Sequence, residues 1–146
     1  MADQLSELNF KQDLAEALVA PESSRWILES PAPLELVASM RSIQHPSELF
    51  QARFLWVAYP GNEPPSLKFR EAATGRLYDP TMWPRVRGFR PDSLDACVNW
   101  SFEGMVLHPE WVRDPRFRWD ARGNPVLKVL RYLQDELDLH CSGRHG

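Results

Sequence analysis

Cysteine is scarce in this sequence: of 146 residues, only Cys97 and Cys141 carry a thiol. Two cysteines do not make the disulfide framework of a small secreted domain, so we expect both thiols to be reduced. Side chains that could ligate zinc are present, but no Cys-x-x-Cys or His-x-x-x-His spacing joins them. These side chains are Cys97, His108, His140 and Cys141. The sequence therefore predicts neither a bound metal nor another cofactor.

Long apolar runs and an excess of positive charge are also absent. No run of apolar residues is long enough to span a membrane, and the first residues lack the basic and apolar parts of a signal peptide. The formal net charge is -3, which disfavours nucleic acid as a partner of the whole molecule. We expect a soluble cytoplasmic protein that binds neither membranes nor nucleic acid.

Two stretches nevertheless combine arginines with aromatic side chains, residues 85–90 and 113–122. Such a combination binds single-stranded nucleic acid by phosphate contact and stacking, or binds an acidic protein, or simply forms a solvated loop over buried rings. Nearby aspartates dilute the positive field and disfavour nucleic acid; they are Asp92, Asp114 and Asp120.

The composition is that of a folded globule, because 43% of the residues are hydrophobic and six are tryptophan. The length fits one domain, residues 1–146, with a core that needs no disulfide or metal. Thirteen prolines fall mostly between the periodic segments and predict several ordered connections that are not helical. Residues 140–146 are expected to form a flexible tail.

Two segments have the periodicity of amphipathic helices. The first is predicted over 9–19, where Asn9 begins a capping box, and the preceding Leu5 and Leu8 either extend this helix or pack beside it. The second is predicted over 126–137. There Asn124 caps the helix, Pro125 occupies the first helical position, and an apolar stripe follows.

Between these helices the sequence predicts four short strands, at 25–28, 34–41, 50–57 and 67–69. The second and third alternate apolar and polar residues, which is typical of half-buried strands. Consecutive strands with short connections favour an antiparallel meander. The fold class is therefore α+β.

Residues 75–124 have almost no regular periodicity and are expected to form a long ordered loop that carries Cys97. Short helical turns are expected within it, around 92–98 and 109–112. Cys97 has small and apolar neighbours, so it is either a buried hydrophobe or a nucleophile that the loop presents. Residue type alone favours the buried hydrophobe.

Three pieces of the sequence, in order, resemble ubiquitin-conjugating enzymes. Tyr59-Pro60 followed by Pro64-Pro65 and an apolar strand is similar to the Tyr-Pro…Pro-Pro signature of that family. Cys97 follows, where the family keeps its thioester-forming cysteine. Trp119, then Pro125 and the last helix, resembles the family's Trp…Pro-x-Leu segment. The resemblance covers most of the chain and implies the ubiquitin-conjugating-enzyme (UBC-like) fold.

The sequence departs from the family at one motif. The nearest match to the family's His-Pro-Asn is Asp79-Pro80-Thr81, so the asparagine credited with stabilising the oxyanion is missing. The spacings on both sides of Cys97 are also longer than the family's. In these respects the chain is similar to divergent conjugating-enzyme-like proteins of bacterial ubiquitin-like operons, which implies a place in antiphage defence.

The resemblance implies a carrier that accepts a ubiquitin-like protein from an activating enzyme, as a thioester on Cys97, and passes it to an amine of a target protein. Asn99 is a candidate donor to the oxyanion, and Asp95 is a candidate acid that orients the amine. Each has a structural alternative, since Asn99 suits a turn and Asp95 suits a helix cap. The alternative function is a non-catalytic UBC-like module that binds a ubiquitin-like or other protein.

Other side chains are weaker candidates for the same chemistry. Asp92 and Glu103 could orient the amine, and His108 could act as a general base, although each also suits an ordinary loop. Cys141 is expected to be a surface thiol in the flexible tail.

Overall fold

A four-stranded antiparallel sheet organises residues 3–145, the part of the chain that our computed structural model describes. β3 alternates between buried and half-exposed residues, as its sequence pattern predicts. β2 is more buried than predicted, since every residue from Leu36 to Met40 is inaccessible. The α+β class and the four-stranded meander are confirmed. The strands pair in chain order: β1 (Ile27–Glu29), β2 (Glu35–Arg41), β3 (Leu49–Leu55) and β4 (Ser66–Phe69).

Helix α1 (Gln4–Leu18) begins earlier than its apolar pattern predicts. Its cap is Asp3, whose Oδ1 accepts a hydrogen bond of 2.8 Å from the Ser6 N–H. The predicted cap at Asn9 is therefore wrong, because Asn9 lies inside the helix. Phe10 faces the core, but the leucines of the first turns remain largely exposed. This exposure explains why the apolar pattern marks only the later part of the helix.

Residues 75–124 hold more regular structure than the single loop that the sequence predicts. β5 (Phe89–Arg90) and β6 (Asp95–Ala96) form a small antiparallel hairpin. Helix α2 (Phe102–Leu107) follows and packs on β4 and β6. Cys97 consequently lies between a hairpin and a helix.

The two helical turns predicted in this region have different outcomes. The turn at 109–112 is confirmed as a 3₁₀ helix over Pro109–Arg113. The turn at 92–98 is wrong, because Asp95 and Ala96 pair as a strand with Arg90 and Phe89.

Helix α3 (Pro125–His140) begins where the sequence predicts and extends beyond the predicted end. Asn124 Oδ1 accepts a hydrogen bond of 3.0 Å from the Leu127 N–H. Near the other end, both guanidinium nitrogens of Arg25 donate to Asp138, at 2.7 and 2.9 Å, and they hold the pKa of Asp138 below its ordinary value. Within residues 3–145, neither α3 nor another helix has both the length and the apolarity to cross a membrane.

The last described residues, 141–145, lie against the chain around Arg85 instead of forming the flexible tail expected over 140–146. The Arg85 N–H donates to the Gly143 carbonyl at 2.8 Å, and a second backbone hydrogen bond of 3.0 Å returns to the Arg85 carbonyl. Cys141 is only 3% exposed, so the expectation of a surface thiol is wrong.

Candidate functional site around Cys97

Cys97 follows directly after β6; it is a free cysteine, and the residue is partly exposed. Its backbone N–H donates to the Gly88 carbonyl at 2.8 Å, next to the start of β5. Gly88 has a φ of +91°, a left-handed conformation that costs little only for glycine. The hairpin therefore fixes the cysteine backbone from one side, while the residue remains partly exposed.

An ion pair locks the hairpin beside the cysteine. Arg90 Nε and Nη2 donate to the two carboxylate oxygens of Asp95 at 2.7 and 2.9 Å, and Asp95 is buried. The Asp95 hydrogen bonds are the main reason that the pKa of Arg90 is raised, and the nearby Cys97 sulfur adds a smaller effect of the same sign. Each oxygen of Asp95 thus accepts one hydrogen bond from Arg90, and the assignment of Asp95 as the amine-orienting acid stays a prediction.

Helix α2 holds the cysteine segment from the other side. Its cap is Ser101, whose Oγ accepts from the Gly104 N–H at 3.0 Å and donates to the Ala96 carbonyl at 2.6 Å. Gly104 packs directly on Val98: a Cβ built on Gly104 would fall 1.9 Å from the Val98 carbonyl oxygen. The sequence interpretation missed this contact, although a serine before a short apolar stretch is a cap signal.

The Asn99 side chain connects the cysteine segment to the loop beyond α2. Its Nδ2 donates to the Phe117 carbonyl at 3.0 Å. An amide nitrogen carries two hydrogens, so one donor remains. The role of Asn99 as an oxyanion donor stays a prediction, and the structure adds a second role as an anchor for that loop.

The weaker candidates are engaged elsewhere. Glu103 accepts hydrogen bonds from the Ser66 hydroxyl and from the Leu67 N–H, at 3.1 Å for the latter, and so fastens α2 to β4. His108 pairs through Nδ1 with Glu110 at 2.9 Å, which lowers the pKa of the glutamate. None of the hydrogen bonds among residues 3–145 joins these side chains to Cys97.

Tyr59, Pro64 and Pro65 of the Tyr-Pro…Pro-Pro stretch are buried, whereas Pro60 is exposed, and the stretch connects three helices. The Tyr59 hydroxyl donates to Asp13 of α1 at 2.6 Å and accepts from the Val126 N–H of α3 at 3.2 Å. Burial, followed by the Asp13 hydrogen bond, raises the pKa of Tyr59. Pro65 is buried, and its carbonyl accepts from the Phe102 N–H at the start of α2, at 2.8 Å.

The Asp79-Pro80-Thr81 segment is closed on itself. Asp79 Oδ1 accepts from the Thr81 N–H at 2.9 Å and from its hydroxyl at 2.6 Å, which caps a 3₁₀ helix over Pro80–Met82. Thr81 therefore directs its hydroxyl to Asp79, and it makes no hydrogen bond to the residues around Cys97 within the described chain.

The chain matches no protein-family model, no curated protein and no solved structure. A function is therefore inferred from the residues and contacts of this chain alone.

Proposed function

We propose that this protein is a ubiquitin-conjugating-enzyme-like carrier with a UBC-like fold. It accepts the C-terminus of a ubiquitin-like protein as a thioester on Cys97 and transfers it to an amine of a target protein. The observation that carries the proposal is a partly exposed free cysteine, Cys97, in a segment held from both sides, by Gly88 and by Gly104. A carrier thiol needs this combination of access and fixed position.

The chemistry consists of two acyl transfers. In the first, the Cys97 thiolate attacks the carbonyl carbon of a thioester on the activating enzyme, a new C–S bond forms, and the activating enzyme's thiolate leaves. In the second, a target amine attacks the same carbon, the Cys97 thiolate leaves, and the amine loses its proton to a base. The first exchange is nearly balanced in energy, because a thioester is both consumed and formed.

Two neighbouring side chains are proposed to assist. The free N–H of the Asn99 amide is available for the tetrahedral oxyanion while the other N–H holds Phe117. Asp95 would orient the amine through the remaining lone pairs of its carboxylate, because each oxygen accepts only one hydrogen bond from Arg90.

The test is intact mass spectrometry of the protein produced together with the proteins that neighbouring genes encode. The wild type is expected to gain the mass of a ubiquitin-like protein less one water. Neutral hydroxylamine removes such a thioester but leaves a disulfide, so the two adducts are distinguished. In Cys97→Ser the adduct becomes an oxyester that thiol reductants do not remove, and in Cys97→Ala it is absent.

The buried Cys141 supplies the matched control, because Cys141→Ser changes the same atom outside the proposed site. This variant is expected to load like the wild type. A Cys97→Ala protein that still modifies targets, or no adduct with a demonstrably active activating enzyme, contradicts the carrier function.

Asn99→Ala is expected to slow the discharge of a preformed thioester to free lysine by about 10²-fold, as loss of one oxyanion donor does elsewhere. It also removes the bond to Phe117, so stability falls by about 1 kcal/mol. Single-turnover discharge and urea unfolding measure the two effects separately. Asn62→Ala, at an exposed position, is the control. Wild-type discharge with reduced stability would leave Asn99 as a loop anchor only.

A second candidate is a non-catalytic UBC-like module, and two observations favour it. The Asp79-Pro80-Thr81 segment offers no donor towards Cys97. An open groove of about 510 Å³ lies between the end of β3 and α2, where Val57 and Phe102 expose apolar surface. Such a module retains its partner without a covalent bond, so Cys97→Ala would bind that partner as well as the wild type does.

A further inference from the structure

Two arginine-bearing segments meet at the cysteine. Gly88 accepts from the Cys97 N–H, and Phe117 accepts from the Asn99 side chain, so both are held by one tripeptide. Their neighbours Arg87 and Arg118 are exposed. Positive charge therefore borders Cys97 on two sides, although the whole chain has a net charge of -3.

Most of this charge has no carboxylate partner. We define the arginine surface by four exposed side chains: Arg87, Arg113, Arg116 and Arg118. Arg116 pairs with Asp114 at 2.9 Å, but within residues 3–145 no ion pair involves the other three. Because exposed guanidiniums prefer planar anions such as carboxylates, this surface is complementary to an acidic ligand.

The aromatic rings on the same loop are already stacked on one another. The Trp111 ring lies 4.2 Å from His108 at an interplanar angle of 15°, and 5.6 Å from Phe117 at 27°. The Arg116 guanidinium lies 5.3 Å above the Phe117 ring. Nucleobases bind such surfaces by stacking on free ring faces. Since Trp111 already stacks on two rings, and Phe117 is contacted by Trp111 and by Arg116, the surface favours an acidic polypeptide over a nucleic acid.

We infer that the arginine surface binds an acidic segment just before the C-terminus of the protein carried on Cys97. That the ligand is this tail rests on the proposed carrier function; the acidic preference rests on the arginines alone. A tail joined to the sulfur must run across the neighbouring surface. Its acidic residues lie close to the C-terminus in sequence, because Arg87 and Arg118 adjoin the residues that hydrogen-bond to Cys97 and Asn99, and an extended chain advances only about 3.3–3.6 Å per residue.

The experiment measures fluorescence anisotropy of short labelled peptides that end in Gly-Gly, with the full-length Cys97→Ala protein, so that no covalent step contributes. One peptide carries glutamates before the glycines, a second carries glutamines, and a third carries lysines. A single-stranded oligothymidine of similar length is the nucleic-acid probe. The glutamate peptide is expected to bind at least about tenfold more tightly than the others, and this preference is expected to weaken as salt is raised.

Charge reversal assigns the binding to the surface. Arg87→Glu and Arg118→Glu are each expected to lower the affinity for the glutamate peptide by about tenfold, and Arg118→Lys is expected to lower it by less. Lys11→Glu makes the same change of charge on the exposed side of α1 and is expected to have no effect. Thermal melts of each variant establish that it is folded.

The outcomes are distinct. Equal binding of the glutamate and glutamine peptides, or tighter binding of oligothymidine, overturns the inference, as does equal weakening by Lys11→Glu. Each of these results leaves the mass-spectrometric test of Cys97 unaffected. Conversely, an acidic preference in a protein that never forms an adduct overturns the assignment of the ligand as a carried tail, together with the carrier function.

Discussion

Gly104→Ala is expected to destabilise the protein by about 3–5 kcal/mol, because the new methyl group meets main-chain atoms that no rotamer change can move. A Cβ at this position would fall 1.9 Å from the Val98 carbonyl oxygen and 2.7 Å from the Val98 nitrogen. Either α2 detaches from the hairpin or the segment that carries Cys97 shifts. In both cases, loading of Cys97 is expected to fall with the stability.

Urea unfolding measures the loss of stability, and backbone chemical shifts of Cys97, Val98 and Asn99 report the displacement. Val106→Ala is the control, because Val106 lies in the same helix with 61% of its surface exposed. Its free energy of unfolding is expected to change by about 0.5 kcal/mol or less. Wild-type stability and unchanged chemical shifts in Gly104→Ala would contradict the close contact between α2 and Val98.

Tyr59→Phe is expected to cost about 2–3 kcal/mol, because it removes a buried hydroxyl that serves two partners. Asp13 loses a donor at 2.6 Å, and the Val126 N–H, at the start of α3, loses its acceptor. Tyr78→Phe makes the same chemical change at a residue that is 74% exposed, and it is expected to be neutral. Equal stabilities for the two variants would show that the Tyr59 hydroxyl does not fasten α1 to α3.

The same hydroxyl makes the stability of the folded protein decrease at alkaline pH. The pKa of Tyr59 is raised above its ordinary value of 10.0, so the folded state keeps a proton that the unfolded state loses first. Its stabilisation is therefore complete below about pH 10 and decreases above it, by up to about 1.4 kcal/mol per pH unit. Urea unfolding at a series of pH values from neutral to alkaline measures this effect. The free energy of unfolding should decrease less steeply with pH for Tyr59→Phe than for the wild type.

The parts of the fold that sequence patterns predicted correctly are those where one local signal decides the structure. β3 alternates because one face packs on the core, and α3 begins at Asn124 because a cap, a proline and an apolar stripe coincide. The start of α1 was predicted wrongly because exposed leucines precede Phe10 and hide the true cap, Asp3. Helix α2 was missed because six residues make fewer than two helical turns, which is too short for an apolar repeat to be recognised.

The sequence names Cys97 as the candidate residue, but it does not reveal the contacts that hold this residue in place. The position of Cys97 after the Tyr-Pro…Pro-Pro stretch follows from sequence order, and so could be proposed without a structure. The bonds to Gly88 and Phe117 and the contact with Gly104 join residues that no periodicity links. Such contacts depend on how the hairpin and α2 pack in three dimensions, which a single sequence does not encode in a local pattern.

The unequal exposure of the two cysteines has a practical consequence. The Cys141 sulfur is enclosed and exchanges hydrogen bonds of 3.4 Å with the backbone of Gly143, whereas Cys97 is partly exposed. A nitroxide spin label added to the folded native chain will therefore attach at Cys97 in preference to Cys141. Electron paramagnetic resonance can then follow the motion of the hairpin without any mutation that removes the second cysteine.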